Sequence, residues 1–284
     1  MTGPAAEPTA TTPSNGLWAR KGRDVAIAST LCLFVISVAF TNWPLVAGQM
    51  LGHELFVRYW PRIQGGLLTT LNLVFVSMLI GGILAFPIAF ARDSRNRFLS
   101  GWAFSYVYFF RGTPLLAQTF LIYHGLGQFM APHRELLDSL GLWAYAREAY
   151  WYVLFAFALN TAAYQAEILR GAIASIPKGQ REACQSLGIP DHIGFRKVIL
   201  PQALITALRP YGNEIILMIK GSAVATVVTV FDLMGTTRLA FSRSFNFEVY
   251  LWAAILYLLL VECLRRIWDI VEWWITRHLR PANG

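Results

Sequence analysis

Long apolar runs separated by short polar stretches dominate the chain. Runs at 25–41, 67–91, 98–126, 151–169, 204–231 and 249–268 can each supply roughly the 20 residues that a bilayer core requires. The pattern predicts an all-α integral membrane protein with about six transmembrane helices. Residues 1–16 are rich in Pro, Thr and Ala, carry the single charge Glu7 and show no apolar periodicity, so disorder is expected there. Arg20, Lys21 and Arg23 then precede the first run. The arrangement is similar to a signal peptide, but the run is long and no small-residue cleavage site follows, so a retained helix is expected. The expected organisation is a basic N-terminus at 1–23, a first helix with an extracytoplasmic segment at 24–66, a transmembrane core at 67–268 and a tail at 269–284.

One polar stretch breaks the pattern. Residues 177–201 carry Lys178, Arg181, Glu182, Asp191, His192, Arg196 and Lys197 between two apolar runs. Gly188 and Pro190 should stop a first short helix. Asp191 suits the N-terminus of a second, and Pro201 should end that helix or open the next. A compact helix–turn–helix knob outside the bilayer is expected, and a connection this long with its own structure is usually functional.

Composition agrees with a polytopic membrane protein: 56% of residues are hydrophobic and 14% charged, against about a quarter charged in soluble domains. The net charge of +8 does not point to nucleic acid, because the basic residues sit at the ends of segments. With the N-terminus inside, the cytoplasmic set is Arg20, Lys21, Arg23, Arg92, Arg95, Arg97, Arg170, Lys178, Arg181, Arg196, Lys197, Arg209, Arg265, Arg266, Arg277 and Arg280. The other side has only Arg58, Arg62, Arg134, Arg147, Arg238 and Arg243. This asymmetry predicts that both termini and the knob face the cytoplasm. Cys32, Cys184 and Cys263 are far apart in sequence and the five histidines show no ligand spacing, so neither a disulfide nor a metal site is expected. No Gly-Lys dipeptide occurs, which excludes a P-loop on this chain. No nucleophile–base set of usable spacing is present either, so no catalytic residues are assigned.

The knob carries a resemblance. Glu182-Ala183-Cys184, then Gly188 after three residues, Val198 after nine more, and Leu200-Pro201 resemble the cytoplasmic-loop signature of ABC-importer permeases. Cys184 stands where that signature usually has a second Ala, and Val198 where it usually has Ile. Arg111-Gly112-Thr113-Pro114-Leu115-Leu116 with Gln118 and Leu121-Ile122-Tyr123 resembles the polar amino-acid subfamily. So does Tyr164-Gln165-Ala166-Glu167-Ile168-Leu169-Arg170-Gly171, with Ser175-Ile176 and Gln180. Tyr211 to Met218 is similar to the permeases for histidine, other basic amino acids and opines. Lys220-Gly221-Ser222-Ala223-Val224 departs from the usual Lys-x-Thr-Ser-Leu run. The resemblance covers roughly residues 65–268.

The resemblance implies a type I ABC-importer permease fold in a bacterial inner membrane. It implies transport of polar or basic amino acids, or opine-like compounds, driven by ATP hydrolysis on a separate subunit. ATP and Mg would sit on that ATPase dimer, with no cofactor on this chain. A second permease subunit, a paralogue or a second copy, and an extracytoplasmic solute-binding protein are the other implied partners. Glu182 and Gly188 occupy the signature's most characteristic positions. Ala183, Cys184 and Leu187, with Ile193, Phe195 and Val198, are expected to fill a cleft on the ATPase, and Leu200 and Pro201 complete the coupling loop.

Polar groups inside the runs are candidates for the substrate path. Arg111 lies about 20 Å into its run at 1.5 Å per residue, where a charge is costly unless paired or hydrated. Gly112 and Pro114 should break or kink the helix there, freeing backbone groups for a zwitterion. Alternatively, Arg111 ion-pairs with a carboxylate and holds the bundle together. Thr113 and Gln118 are either path residues or plain interhelical hydrogen-bonders. Glu214 is the candidate acidic contact for a cationic side chain, and Lys220 is expected to face a cavity or a partner subunit. Glu167 is expected to pair with a basic residue near the knob, and Glu262 with Arg265 and Arg266. Trp268, Trp273 and Trp274 suit an interfacial belt. A secondary amino-acid transporter driven by an ion gradient and a membrane-embedded enzyme compete with the ABC assignment. The first would usually show an internal repeat, which is missing, and would have no use for the knob.

Overall fold

The computed structural model describes residues 14–277, and every regular element among them is helical. In order they are α1 (Ser14–Phe40), α2 (Trp43–Met50), α3 (Glu54–Arg92), α4 (Arg97–Gly112), α5 (Leu115–Met130), α6 (Arg134–Ser139), α7 (Trp143–Ala146) and α8 (Ala149–Ala174). They continue with α9 (Lys178–Ser186), α10 (Asp191–Gly194), α11 (Leu200–Gly221), α12 (Leu233–Ser244) and α13 (Glu248–Thr276). Most of the expected disordered N-terminus, residues 1–13, lies outside the described residues, and Ser14 already opens α1.

α8 is the central pillar, packed against α3, α4, α5 and α11. Small residues make this possible: Ala156, Ala162, Ala163 and Ala166 are fully enclosed, and a Cβ on Gly81 of α3 would lie 2.4 Å from the Thr161 methyl. Close helix approach through small residues is the usual packing device in membranes, where burial of apolar surface contributes little. The outer face of α3 is instead a continuous apolar stripe of Phe75, Leu79, Ile83, Phe86 and Phe90, all exposed and suited to lipid. α1 packs on α13, and α12 on α3.

Helix interruptions distinguish the structure from the simple pattern of apolar runs. The run at 98–126 is two helices, broken at Thr113-Pro114. The run at 204–231 is α11, a 3₁₀ stretch (Ser222–Val228) and a turn into α12. α3 extends thirteen residues ahead of the predicted start at 67, and the short α2 was not foreseen. Among the described residues, α3 alone is long and apolar enough to cross a membrane as one helix. Two bent pairs qualify only as broken spans or re-entrant loops: Val25–Phe40 with Trp43–Met50, and Asp191–Val228 with Leu233–Ser244. α8 is less apolar because Asn160, Thr161, Gln165 and Glu167 face other helices, and α13 because Glu262, Arg265 and Arg266 shorten its uncharged part.

The chain also brings Cys32 and Cys263 together, with sulfurs 2.9 Å apart and both thiols free, although they are 231 residues apart in sequence. Trp268 is not part of an outer belt: its indole N–H donates to the Leu208 carbonyl at 2.7 Å and its ring packs on Gly212.

Candidate functional site

The knob is built as the local sequence dictates. α9 ends at Gly188, whose φ of +67° is left-handed. The Gly188 N–H donates to the Gln185 carbonyl (3.0 Å) and the Ile189 N–H to the Cys184 carbonyl (2.9 Å). These two bonds form a Schellman cap, which needs a residue tolerant of positive φ at this position. Pro190 is extended and opens α10, with Asp191 in its first turn. The second helix does not stop at Pro201. It passes through a π-helical turn (Phe195–Ile199) directly into α11, whose first turn holds Pro201. Proline lacks an N–H, so the turn before it loses a donor, and a wider turn accommodates the mismatch.

The structure divides the residues expected on the docking face. Glu182, Ala183, Leu187, Gly188, Ile193 and Pro201 are exposed, Leu187 to 76%. Cys184 is buried, so it does not belong to the presented surface: it meets Gly194, where an added Cβ would lie 3.3 Å from the cysteine sulfur. Phe195, Val198 and Leu200 are half-buried and pack inward on Ile173, Ile176, Ile199 and their neighbours, with the Phe195 ring 5.7 Å from that of Phe90. These side chains fasten the knob to the ends of α3 and α8. Gly194, which permits the Cys184 contact, was not singled out from sequence. Its signal is the need for a small partner opposite position 184.

The second cluster surrounds the break between α4 and α5. Ending α4 in an apolar interior orphans its last carbonyls. The Gln118 amide donates to the carbonyls of Phe110 (2.8 Å) and Thr113 (2.9 Å), and to the Thr113 hydroxyl oxygen (2.8 Å). Asn160 of α8 donates to Gln118 Oε1 (2.8 Å) and to the Phe110 carbonyl (3.1 Å). Gln118 and Thr113 thus close the break from within, and Asn160, absent from the sequence candidates, completes it. Pro114 is the N-cap position of α5, and Gly112 is the exposed last residue of α4.

Below the break lies a cleft of about 360 Å³ between α8 and α11, lined by Arg111, Tyr164, Glu167, Ser175, Thr206 and Pro210 among others. Glu167 accepts hydrogen bonds from Arg170 (2.9 and 2.8 Å) and Arg92 (3.1 Å). Arg111 comes only to 3.8 Å of the same carboxylate, and its guanidinium lies over the Tyr164 ring at 5.2 Å. Glu214 is 5% exposed and accepts a hydrogen bond from the Thr161 hydroxyl at 3.0 Å. Lys220, six residues further along α11, is exposed and does not share a face with Glu214. Glu262 is held by Arg265 (2.8 Å) and Arg266 (2.7 Å).

The chain matches the family of binding-protein-dependent transport system inner membrane components over residues 77–277. It is 39% identical over 232 residues to the nopaline transport system permease protein NocM of Agrobacterium fabrum, covering 81% of this chain and 95% of that one. It is 34% identical over 239 residues to the histidine/lysine/arginine/ornithine transport system permease protein HisM of Escherichia coli (strain K12), covering 81% and 98%. Among solved structures, an amino acid ABC transporter with histidines superposes at a TM-score of 0.68 and 34% identity, over 76% of this chain and 95% of that one. The inward-facing MetNI methionine ABC transporter shares the fold at a TM-score of 0.60 and 21% identity. These relatives are permease subunits of ABC importers, which favours that class over an ion-driven transporter. By family, sequence and fold together, the chain belongs to the inner membrane components of binding-protein-dependent transport systems, as a permease of the type I ABC-importer fold.

Proposed function

We propose that this permease admits polar or basic amino acids, or opine-like derivatives of them, into the cell. The energy comes from ATP hydrolysis on a separate ATPase dimer, which holds the ATP and Mg and docks on the knob at 177–201. A solute-binding protein delivers the substrate from outside, and a second permease subunit, a paralogue or another copy, completes the path. The bundle crosses the membrane about six times with both termini in the cytoplasm. Arg111, Gly112, Thr113, Pro114, Gln118, Glu214 and Lys220 mark the substrate side. The observation that carries this is the knob itself: a Schellman-capped helix whose Glu182, Ala183 and Leu187 are exposed, followed by a turn whose Phe195, Val198 and Leu200 fasten the knob to α3 and α8. A knob tied to two long helices transmits a push as rigid-body motion.

Co-purification of the tagged chain, wild type and Gly188→Asp, tests the proposal. An ATPase subunit should accompany the wild type and be lost from the variant, and uptake should be sensitive to vanadate. A chain that purifies alone and transports in proteoliposomes without ATP would overturn it.

A further inference from the structure

Two thiols from opposite ends of the chain meet in the seam between α1 and α13. Cys32, Val35 and Ala39 follow helical spacing on α1, as Leu256, Leu260 and Cys263 do on α13, and all six pack into one apolar cluster. The two sulfurs lie 2.9 Å apart, Cys263 is 7% exposed and Cys32 is half-buried. As a hydrogen bond the contact contributes little, because a thiol is a weak donor and a weak acceptor. As a reacting pair it is well placed: bonding the sulfurs at roughly 2 Å takes a shift of about 1 Å, which side-chain rotation supplies.

The pair also stands where redox chemistry reaches. Glu262, Arg265 and Arg266 lie within three residues of Cys263, so the thiols sit about one turn from the polar boundary of the bilayer, on the side proposed above to be cytoplasmic. α1 lies ahead of the region matched to the family, which starts at residue 77, so the transport fold has to hold this helix from outside. At its outer end the Gln64 amide donates to the carbonyls of Ala39 (2.9 Å) and Thr41 (3.2 Å). Apolar side chains alone hold a helix weakly in a bilayer, where the lipid is as apolar as leucine. Toward the inner end the thiol pair is the corresponding contact.

We propose that Cys32 and Cys263 form a reversible redox staple, a dithiol in the reducing cytoplasm that a peroxide closes to a disulfide, locking α1 onto α13. Cys32, the more exposed thiol, gives up its proton and attacks an oxygen of hydrogen peroxide. The O–O bond breaks, and a sulfenic acid and one water result. Cys263 then attacks the sulfenic sulfur, forming the S–S bond and expelling hydroxide, which its thiol proton converts to a second water. Two thiols and one hydrogen peroxide become one disulfide and two waters. Cellular thiols reopen the bond by exchange. The two cysteines are 231 residues apart, so the bond restricts the unfolded chain over most of its length. Both helices belong to one rocking unit, so the staple holds α1 without stopping transport. The inference goes beyond the import function and does not depend on which solute is carried.

The test uses the chain in native membranes, treated with hydrogen peroxide, quenched with N-ethylmaleimide in denaturant and digested for mass spectrometry. Most of the chain should yield a Cys32–Cys263 disulfide peptide, and dithiothreitol should return both thiols. Oxidation should raise the thermal midpoint of the purified complex by about 5 °C or more, and Cys32→Ser and Cys263→Ser should each abolish the disulfide and the rise. ATP-driven uptake by the oxidised protein should stay within about twofold of the reduced rate. Both cysteines alkylated after peroxide, a disulfide between two chains, or a midpoint rise that persists in Cys32→Ser would overturn the staple. So would a severalfold loss of uptake that dithiothreitol restores, since α1 and α13 would then slide past each other during transport. The disulfide and the midpoint are read without transport, so a chain that never imports sinks the import function and not the staple.

Discussion

The same tripeptide pattern, Gly-x-Pro, interrupts the chain twice with opposite solutions. At Gly112-Thr113-Pro114 the break lies inside the bundle, and at Gly188-Ile189-Pro190 it lies in the knob. Gly188 takes a left-handed φ and lets the backbone cap itself. Gly112 does not adopt positive φ, and buried amides from Gln118 and Asn160 meet the freed carbonyls. Solvent explains the difference. Any carbonyl the knob leaves open can find water, whereas inside a membrane protein each polar group must be met by the protein itself. The inner break is therefore expensive to disturb through its side chains, and the outer one through its backbone.

Substitutions at four positions sharpen or break that contrast. Gln118→Leu should be the most damaging, about 3 kcal/mol, because it removes the donor to the Thr113 carbonyl and the acceptor of the buried Asn160 amide. Thermal unfolding of the detergent-purified complex would show it, and an unchanged midpoint would mean that the break is hydrated. Gly194→Leu comes next, at about 2 kcal/mol of overpacking against Cys184. It should lower ATP hydrolysis coupled to uptake more than it lowers membrane levels. Gly188→Ala should cost about 1 kcal/mol, as a left-handed φ does for a residue with a Cβ, and Gly188→Asn distinctly less. The ranking of the two in thermal stability is the check, and equal effects would argue against backbone strain. Gly112→Ala should fall within about 1 kcal/mol of wild type, on the stabilising side, since a Cβ there meets nothing within 4 Å.

A good part of this was legible in the residues. Gly188, Pro190 and Asp191 act through their own φ preferences and charge, so the knob's outline follows from local chemistry. The break at 112–114 was foreseen for the same reason. Less legible was which knob residues face outward. Cys184 and Leu187 are three residues apart on one helix, yet one is buried and the other 76% exposed, because α10 folds back and sets Gly194 against the cysteine. Trp268 was misplaced in a belt because only the approach of α13 to Gly212 reveals a carbonyl for its N–H.

Apolar run length, basic-residue asymmetry and the Gly and Pro positions carried the class of protein and the knob, since each acts within a few residues of itself. Partner choice belongs to the packed chain. Arg92 and Glu167 meet across 75 residues, Thr161 and Glu214 across 53, and Cys32 and Cys263 across 231. Such pairs depend on which helices are neighbours and how they are rotated. Helix rotation in a bilayer follows from where small residues allow close approach, and that is a property of the assembled bundle.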